Sequence, residues 1–579
     1  MSRGIAALIL AAGYASRLGT CKPLQPLGPS IFLEEAVRRF RAAGVDDLRV
    51  VTGHRAGEIG PLLPKLGVRV IFNPGYDQGM FSSVQAGVRS LEPEIAGFFL
   101  LPVDLPLVKP RTIKALLQAQ NRQGASITYP CFLGRRGHPP LIATALVRDL
   151  PPDCEGGLRA FLQRYDAVAL DLEVLDEAVL LDCNTPLDYQ RLRAYSLREA
   201  LPTRRECEAI WNRHGLPAPL RRHCLLVGEL AGRLAVHLNC AGLHLNIPLV
   251  LAAGYLHDLA KGQPDHARTG DRILEDLGYG AVGRLVATHV DLRSLAPSVE
   301  ESQLLYLADK LVARDRLVSL EERFQPASEK FAEQPEIMAS VARRLEQARI
   351  IKQRLEGVLG ISLEELIRRY AQGFYPAAAA GPQTIYLVRH GAIQPPGPGR
   401  RYLGQLDVPL SPEGYRQAES LRERLRPERL AAVYGSDLRR AMETAAIIAA
   451  PHGLTPRAWP EFREISLGAW EGLAFEAVQQ RYPEEYAARG KDFINFRPPG
   501  GESFLDCAHR VLPAFYAALA STPGDLLIVG HAGVNRILLS LAPGRSLTEL
   551  FDFPQDYGCL NLLTCCDLEP VVVSLNETP

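Results

Sequence analysis

The sequence has no surplus of charge: Lys and Arg together number 65, and so do Asp and Glu. A chain without a net basic field, and with no basic stripe, has nothing to recruit nucleic acid or an anionic membrane. It also lacks a CxxC pair. Its eleven cysteines are scattered, with Cys565 and Cys566 the only close couple. That pattern speaks against a zinc ribbon or a disulfide framework and for reduced thiols in a cytoplasm. No apolar run approaches the ~18 residues of a membrane helix. The opening "IAALILAAG" is apolar but short, has no sizeable basic leader and runs into a glycine-rich polar turn. A buried first strand reads that way and a signal peptide does not. These absences leave a soluble, cytoplasmic chain, and its 579 residues exceed what one core accommodates.

What is present falls into three segments. Residues 1–197 alternate strand-like runs ("AALILAA", "LRVVTG", "VRVIFN", "GFFLLPVD") with helical patterns, which predicts a parallel sheet covered by helices. Residues 200–373 have almost no β-branched runs. "RRHCLLVGELAGRLAVHL" and "PEIMASVARRLEQARIIKQRLEGVL" carry apolar residues at three-four spacing, the pattern of an all-α segment. A small-residue and proline stretch at 374–383 reads as a linker. From 384 to 579 strands return ("TIYLVRHG", "LAAVYGS", "DLLIVGH") between helices. The expected fold class is multidomain: α/β, then all-α, then α/β, with no repeat of fixed period.

In the first segment "LILAAGYASRLGTCKPLQPLG" places Ala12, Gly13, Ser16, Arg17, Gly19 and Lys22 directly after a strand. Glycines let backbone N–H groups approach a triphosphate, and Arg17 and Lys22 supply cations. Asp104 ends another apolar strand, the edge at which α/β folds bind ligands. The pattern AAG-x-x-x-R-x-G-x-x-K, with "VVTGHRAGEI", "FNPGYDQGMFSSVQAGV", "LLPVDLPLV", "FLGRRGHPPLI" and "LDCNTPLDY", resembles the MobA-like nucleotidyltransferases, in the branch of molybdenum-cofactor cytidylyltransferases. That resemblance implies a Rossmann-like fold, Asp104 holding Mg²⁺ between the phosphates, and "NPGYDQGMFSSVQAG" and His138 facing base and acceptor. Asn184 stands where the branch carries an aspartate before Thr-Pro; its amide oxygen coordinates without charge, and Asp182 lies close by in sequence to compensate.

The middle segment offers His223, the dipeptide His257-Asp258 at the end of an apolar helix, Lys261, His266, His289 and Asp309. A lone histidine on an amphipathic helix is usually a core residue. Imidazoles and carboxylates in this order form a mixed donor set suited to Mg, Mn, Fe or Zn, and a bound ion lowers the pKa of water and clamps a phosphoryl oxygen. The segment resembles the HD superfamily of metal-dependent phosphohydrolases. The resemblance puts His223, His257, Asp258 and Asp309 on its four ligand positions, and His266 and His289 where two-metal members carry further ligands. Lys261, three residues after Asp258, faces the phosphate if the helix continues.

The last segment delivers Arg389 and His390 together at the end of "IYLVRHG". If His390 is a nucleophile, it needs further cations, a proton donor and a second imidazole. "YGSDLRRAMETAAIIA" supplies Arg440, "FREISLGAWEGL" supplies Glu464, and "LLIVGHAGVNR" supplies His531, all at strand ends or loops. The set resembles the histidine phosphatase (phosphoglycerate-mutase-like) superfamily. The resemblance makes His390 the phosphorylated nucleophile, Arg389, Arg440 and His531 the phosphate binders and Glu464 the general acid, with no metal. "YLGQLDVPLSPEGYRQAESL", "LGAWEG" and "PPGGES" are most similar to the α-ribazole-phosphatase branch, although Ile393 stands where that branch has threonine and "PPGPGRR" alters the following loop.

Together these resemblances imply a multifunctional enzyme. Its partners are a nucleoside triphosphate, CTP favoured, and a phosphorylated small molecule or cofactor precursor. Molybdenum-cofactor cytidylylation combined with phosphohydrolase and phosphomonoesterase activities is the specific expectation. Two alternatives stand beside it: cobamide nucleotide-loop assembly by a guanylyltransferase with an α-ribazole phosphatase, and a regulatory scaffold that binds nucleotides without turnover.

Overall fold

Strand Gly4–Ala11 is apolar along nearly its whole length and buried on both faces from Ala6 onward. A strand with that composition sits in the middle of a sheet covered on two sides. In the computed structural model, which describes residues 4–14, 21–148, 150–151, 154–370, 383–542, 545–565, 568 and 570–578, it does so. The chain divides into two compact units, Met1–His214 and Gly215–Pro579.

In the first unit the strand order is Ala169–Glu173, Ile127–Phe132, Leu141–Ala143, Ile95–Pro102, Gly4–Ala11, Asp47–Thr52, Arg69–Phe72, with Arg135–Arg136 paired to the second of these. Gly4–Ala11 is parallel to both its neighbours. The chain builds outward on one side through Asp47–Thr52 and Arg69–Phe72, then returns to the other side as Ile95–Pro102. The reversal leaves a crevice at the C-terminal ends of the two central strands, the usual ligand position in such sheets. The sheet is not wholly parallel as the alternation predicts: Leu141–Ala143 runs antiparallel to both strands flanking it. Leu8, Leu10, Val51, Phe98, Leu100 and Ile142 pack in one core with Val84 and Val88 of helix Met80–Arg89. Helix Arg204–Arg213 is fastened to this unit through Glu206, fully buried, which accepts from Lys109 Nζ at 2.7 Å and Tyr195 Oη at 2.9 Å.

The second unit begins with long helices, Ala218–Cys240, Ile247–Leu256, Glu301–Lys310 and Pro335–Leu359 among them. A two-stranded ribbon, Val312–Ala313 with Arg316–Leu317, interrupts the helical run. Its turn residue Arg314 has a φ of 57°. The helices lead to a six-stranded sheet ordered Arg457–Ala458, Leu430–Gly435, Asp525–Gly530, Gln383–Arg389, Leu560–Cys565, Pro570–Glu577. The first four strands are mutually parallel and the last two antiparallel. Register sets Arg389 opposite Gly530 and Gly435 opposite Val529, so three strands end at one edge.

A buried polar chain joins the helical part to this sheet. Tyr370 Oη lies 2.7 Å from His237 Nε2, His237 Nδ1 lies 2.8 Å from His509 Nδ1, and His509 Nε2 lies 3.0 Å from the Leu359 carbonyl. A carbonyl only accepts, so His509 Nε2 carries a hydrogen, His237 Nδ1–H donates to His509, and Tyr370 donates to His237. Burial, helped by neighbouring His509, Arg369 and Arg233, holds His237 well below its ordinary pKa; burial also lowers His509. No helix among the described residues is long and apolar enough to cross a membrane.

Candidate functional sites

At the switch point of the first sheet, Gly4–Ala11 runs out into Ala12 and Gly13, and Ile95–Pro102 runs out to Asp104. Lys22 Nζ stands between Asp104 Oδ2 and Asn184 Oδ1, 2.8 Å from each. The orientation of Asn184 follows from its neighbour, because its Nδ2 donates to Asp182 Oδ2 at 2.5 Å and so leaves Oδ1 facing Lys22. The Cys183 N–H donates to the Asp104 carbonyl at 3.0 Å, which ties the two loops together. One carboxylate and one amide oxygen converging on a cation are hard donors of the kind a divalent ion takes, with phosphate and water completing its shell. His138 is held below its ordinary pKa by burial, against the pull of Asp104 and Asp182. Ser16, Arg17 and Gly19 lie outside the described residues.

In the helical part the predicted ligands come together. Three imidazoles are oriented alike: Nδ1 of His223 lies 2.9 Å from the Arg314 carbonyl, that of His257 2.8 Å from Gly254, and that of His289 2.7 Å from Val286. Each Nδ1 therefore bears a hydrogen and each Nε2 is turned inward, towards Asp258 and Asp309. The Arg314 carbonyl is supplied by the small ribbon after Asp309, which gives that interruption of the helices a use. Asp258 stands at the centre. Its Oδ2 is 3.6 Å from His257 Nε2 and 4.0 Å from His223 Nε2, and its Oδ1 is 3.3 Å from His266 Nε2 and 3.5 Å from His289 Nε2. Asp309 Oδ1 lies 3.2 Å from His223 Nε2.

Two donor groups result, His223–His257–Asp258 and Asp258–His266–His289, each drawn within 4.8 Å. Burial pushes the Asp258 carboxyl up, but His257, His266, His289 and Lys261 outweigh it and hold it below the carboxylate range. Burial pushes Asp309 up too, and Lys310, His223 and His257 reverse it. Burial alone would lower His257; Cys224, Asp258 and Asp309 instead raise it well above its ordinary value. Anions that force a proton onto a buried imidazole would equally bind a cation. The bare His257 Nε2, buried without a hydrogen-bond partner, fits the same conclusion. The donors suit a divalent metal ion. Lys261 reaches Asp258 Oδ2 at 3.0 Å, but not from a continuing helix: Ile247–Leu256 ends first and a turn bonds the Lys261 N–H to the Asp258 carbonyl.

In the C-terminal part, strand Gln383–Arg389 delivers His390 beside His531, which follows strand Asp525–Gly530; the rings are 5.0 Å apart, edge to face. His390 Nδ1 lies 2.8 Å from the Gly391 carbonyl, so it bears the hydrogen, and Arg440 Nε donates to Nε2 at 3.2 Å. Gly391 is required here because a Cβ would lie 2.4 Å from the Gly414 carbonyl oxygen. Burial, then Arg440 and Arg389, hold His390 well below its ordinary pKa; burial, Arg440, His390 and Arg389 do the same to His531. Both ring nitrogens of His531 are buried without a hydrogen-bond partner. Arg440 is fixed by the carbonyls of Leu406 and Gly404 at 2.7 and 2.9 Å. Glu464 accepts from Gly533 N–H and Ile465 N–H at 3.0 Å each, and a Cβ at position 533 would come within 2.5 Å of its Oε1. Arg389, His390, Arg440 and Glu464 share a cavity of about 1020 Å³ with Ile393, which is buried and bridges to Leu410.

Several contributors are silent in the sequence. Tyr557 takes the Arg389 guanidinium on its ring at 3.8 Å. Lys310, next to Asp309, spans Asp309 Oδ2 and the His289 carbonyl at 2.8 and 2.9 Å. Arg510 donates to the carbonyls of Glu461, Arg463 and Glu464 and pairs with Glu502. Only the adjacency of Lys310 to Asp309, and the place of Arg510 in "PPGGESFLDCAHRV", hinted at them.

Comparison with known proteins matches the same three regions. Residues 7–168 match the MobA-like NTP transferase domain, residues 220–314 the HD domain, and residues 385–578 the histidine phosphatase superfamily, branch 1. The 6-phosphofructo-2-kinase/fructose-2,6-bisphosphatase of Gallus gallus is 34% identical over 171 residues, 29% of this chain and 34% of that one. Its counterpart in Caenorhabditis elegans is 31% identical over 201 residues, 32% of this chain and 42% of that one. The chain thus spans well under two thirds of the length of these curated relatives. A solved structure of a putative alpha-ribazole-5'-P phosphatase from Escherichia coli is 28% identical, covering 34% of this chain and 96% of that one, with a TM-score of 0.32. In chain order the protein carries a MobA-like NTP transferase domain, an HD domain and a histidine phosphatase domain of branch 1, all three of them enzyme domains.

Proposed function

We propose that the chain is a multifunctional enzyme of phosphorus chemistry, laid out as a transferase over 1–197, a phosphohydrolase over 200–373 and a phosphatase over 384–579; of the linker expected at 374–383, residues 374–382 lie outside the described residues and Gln383 opens strand Gln383–Arg389. The observation that carries the reading is the geometry of His390: its Nδ1–H held by the Gly391 carbonyl, its Nε2 turned to Arg440, with burial and the arginines pushing its pKa down. Nε2 attacks the phosphorus of a phosphomonoester, the ester P–O bond breaks, and Glu464 gives its proton to the departing oxygen. Water then attacks the phosphohistidine, Glu464 takes the proton back, and His390 is released. Arg389, Arg440 and His531 hold the phosphoryl oxygens, and the arginines stay charged throughout. This step needs no metal.

In the first domain Ala12, Gly13, Arg17, Gly19 and Lys22 cradle the triphosphate. Asp104 and the Asn184 oxygen would hold Mg²⁺, which supplies charge neutralisation to the phosphates when bound. The transfer joins NMP, CMP by preference, to a cofactor-type acceptor, of which the molybdenum-cofactor precursor is the best specific case. In the HD domain His223, His257, Asp258 and Asp309 would hold one divalent ion among Mg, Mn, Fe and Zn, with His266 and His289 serving a second. Such an ion activates water, and Lys261 meets the substrate phosphate. The likeness of "YLGQLDVPLSPEGYRQAESL" and "PPGGES" to α-ribazole phosphatases favours a second reading, cobamide nucleotide-loop assembly with GTP. All of this chemistry belongs in the cytoplasm.

Two measurements test the proposal. Rapid alkaline quench with a labelled phosphomonoester should leave phosphate on position 390, because a phosphohistidine survives base but not acid; hydrolysis that proceeds with position 390 never modified sinks the phosphatase assignment. Supplying CTP, GTP, ATP or UTP with a panel of acceptors should release pyrophosphate for one pair. CTP supports the first reading and GTP the second, while no release with any pair returns the first domain to a binding role without turnover.

A further inference from the structure

The two carboxylates of the HD domain meet their histidines in different ways. Asp258 offers both oxygens, Oδ2 towards His223 and His257 and Oδ1 towards His266 and His289. Asp309 offers one. Its Oδ1 lies 3.2 Å from His223 Nε2 and 3.6 Å from His257 Nε2, while its Oδ2 accepts from Lys310 Nζ at 2.8 Å. Lys310 is locked in that position. It is 7% exposed, its Nζ also donates to the His289 carbonyl at 2.9 Å, and it stands 4.4 Å from the Tyr306 ring centroid. An ammonium has three hydrogens, and a carboxylate oxygen, a carbonyl and a π-face account for all of them. Tyr306 is itself fully buried and fixed, its Oη donating to the Arg344 carbonyl at 3.0 Å. His289 belongs to the second donor group, so the ammonium is anchored to the frame of the whole site. Lys261 differs. It also touches Asp258, but its side chain is half exposed and free to withdraw into solvent.

A carboxylate with both oxygens free binds an ion through one of them or through two, and the second bond fills a coordination position. A catalytic ion needs a position left open for water or substrate. We infer that Lys310 is a positioning residue: by holding Oδ2 it confines Asp309 to a single bond, through Oδ1, with an ion at His223 and His257. The inference rests on the metal-binding reading of the HD domain and goes beyond its ligand set, because an ammonium group is not itself a ligand.

The test uses the full chain with Co²⁺, whose visible spectrum reports coordination geometry and weakens as further ligands bind. One equivalent is added to metal-free wild type, Lys310→Met and Lys310→Gln, with circular dichroism to show that each is folded. Methionine fills the space without a donor, whereas glutamine keeps an N–H for Asp309 but not the charge. Lys310→Met should keep its cobalt and lose absorption intensity per bound ion, as Asp309 turns its second oxygen inward. Lys310→Gln should return the spectrum to that of wild type. An unchanged Lys310→Met spectrum, the same loss in both variants, or release of cobalt from a folded Lys310→Met would each overturn the role of Lys310 and leave the metal reading standing. A crystal structure of the cobalt-loaded wild type decides without any variant: one Asp309 oxygen on the ion and the other on Lys310 supports the inference, and any other arrangement overturns it. Failure of the wild type to bind cobalt at all would sink the metal reading and the inference with it.

Discussion

Arg510 offers a way to separate the chemistry of Glu464 from the folding of its loop. Its guanidinium reaches the carbonyls of Glu461 and Arg463 at 2.7 and 3.0 Å and that of Glu464 at 3.4 Å. On its other side it grips Glu502, Nε to Oε1 at 2.9 Å and a terminal nitrogen to Oε2 at 2.7 Å. Glu502 in turn accepts from the Ser466 N–H at 3.0 Å. The pair therefore brackets the residue proposed as general acid from both sides. Arg510→Lys keeps the charge but loses the planar fork, since an ammonium group cannot serve three carbonyls and a bidentate carboxylate at once. Losing two or three charge-assisted bonds costs about 3–5 kcal/mol if the loop stayed rigid. The loop will relax instead, and Glu464 will shift.

A displaced general acid forfeits part of the roughly 10²–10⁴-fold it contributes. We expect kcat for an alkyl phosphate to fall about 100-fold, while kcat for p-nitrophenyl phosphate, whose leaving group departs without a proton, falls less than about threefold. The assay is steady-state hydrolysis of both esters by the full chain, with circular dichroism to show that the variant is folded. An equal loss on both esters would refute the reasoning, because a loosened fold or a weakened phosphate site does not distinguish leaving groups.

Other expectations follow from the remaining sites. Lys22→Ala removes the cation between Asp104 and Asn184; pyrophosphate release should fall by about 10²-fold or more, with p-nitrophenyl phosphate hydrolysis unchanged. Chelation should abolish the HD domain's phosphohydrolase activity and spare the His390 phosphatase. Asp258→Ala, which removes the carboxylate common to both donor groups, should cut bound metal to below half of wild type by elemental analysis. Below about pH 6.5 the unfolded chain binds protons that buried His237 and His509 refuse, so stability falls as pH drops, by up to about 1.4 kcal/mol per unit per histidine. Thermal melts from pH 7 to 5 should show a smaller drop in Tm for His509→Gln than for wild type.

The candidate site residues were legible because the proposed chemistry demands particular side chains at strand ends and in fixed order. Arg389, His390, Arg440 and His531 meet because parallel strands end together, and the end of a short continuous apolar run reveals such a position. The His223 to Asp309 set was legible for the same reason, as imidazoles and carboxylates at the ends of apolar helices. What stayed hidden was set by tertiary contact. Leu141–Ala143 is three residues long and reads neither parallel nor antiparallel. The ribbon 312–317 sits inside a helical pattern, and its turn requires Arg314 at positive φ, which composition does not announce. Lys261 sits at the predicted ligand in a turn rather than on a helix, because helix Ile247–Leu256 ends before it.

Under the proposed function one local device would serve two opposite chemistries in this chain. His223, His257, His289 and His390 each spend Nδ1–H on a backbone carbonyl and turn Nε2 towards the charged groups of their site. The first three look onto Asp258 and Asp309, whose field is strong enough to raise His257 well above its ordinary pKa. An Nε2 in that field attracts a cation, and a metal ion satisfies both the lone pairs and the carboxylates. His390 looks instead onto Arg440 and Arg389, which with burial push its pKa well down. There a cation is repelled, a proton is refused, and the lone pair stays available to an electrophile that arrives with negative charge, which is a phosphoryl group. The difference between a metal ligand and a nucleophile thus lies in the sign of the neighbours and not in the histidine. Reversing that sign, as Arg440→Glu would, should raise the His390 pKa and abolish phosphohistidine formation even though the imidazole and its Gly391 hydrogen bond remain. A labelled Arg440→Glu enzyme that still traps phosphate at position 390 would contradict this account of what distinguishes the two sites.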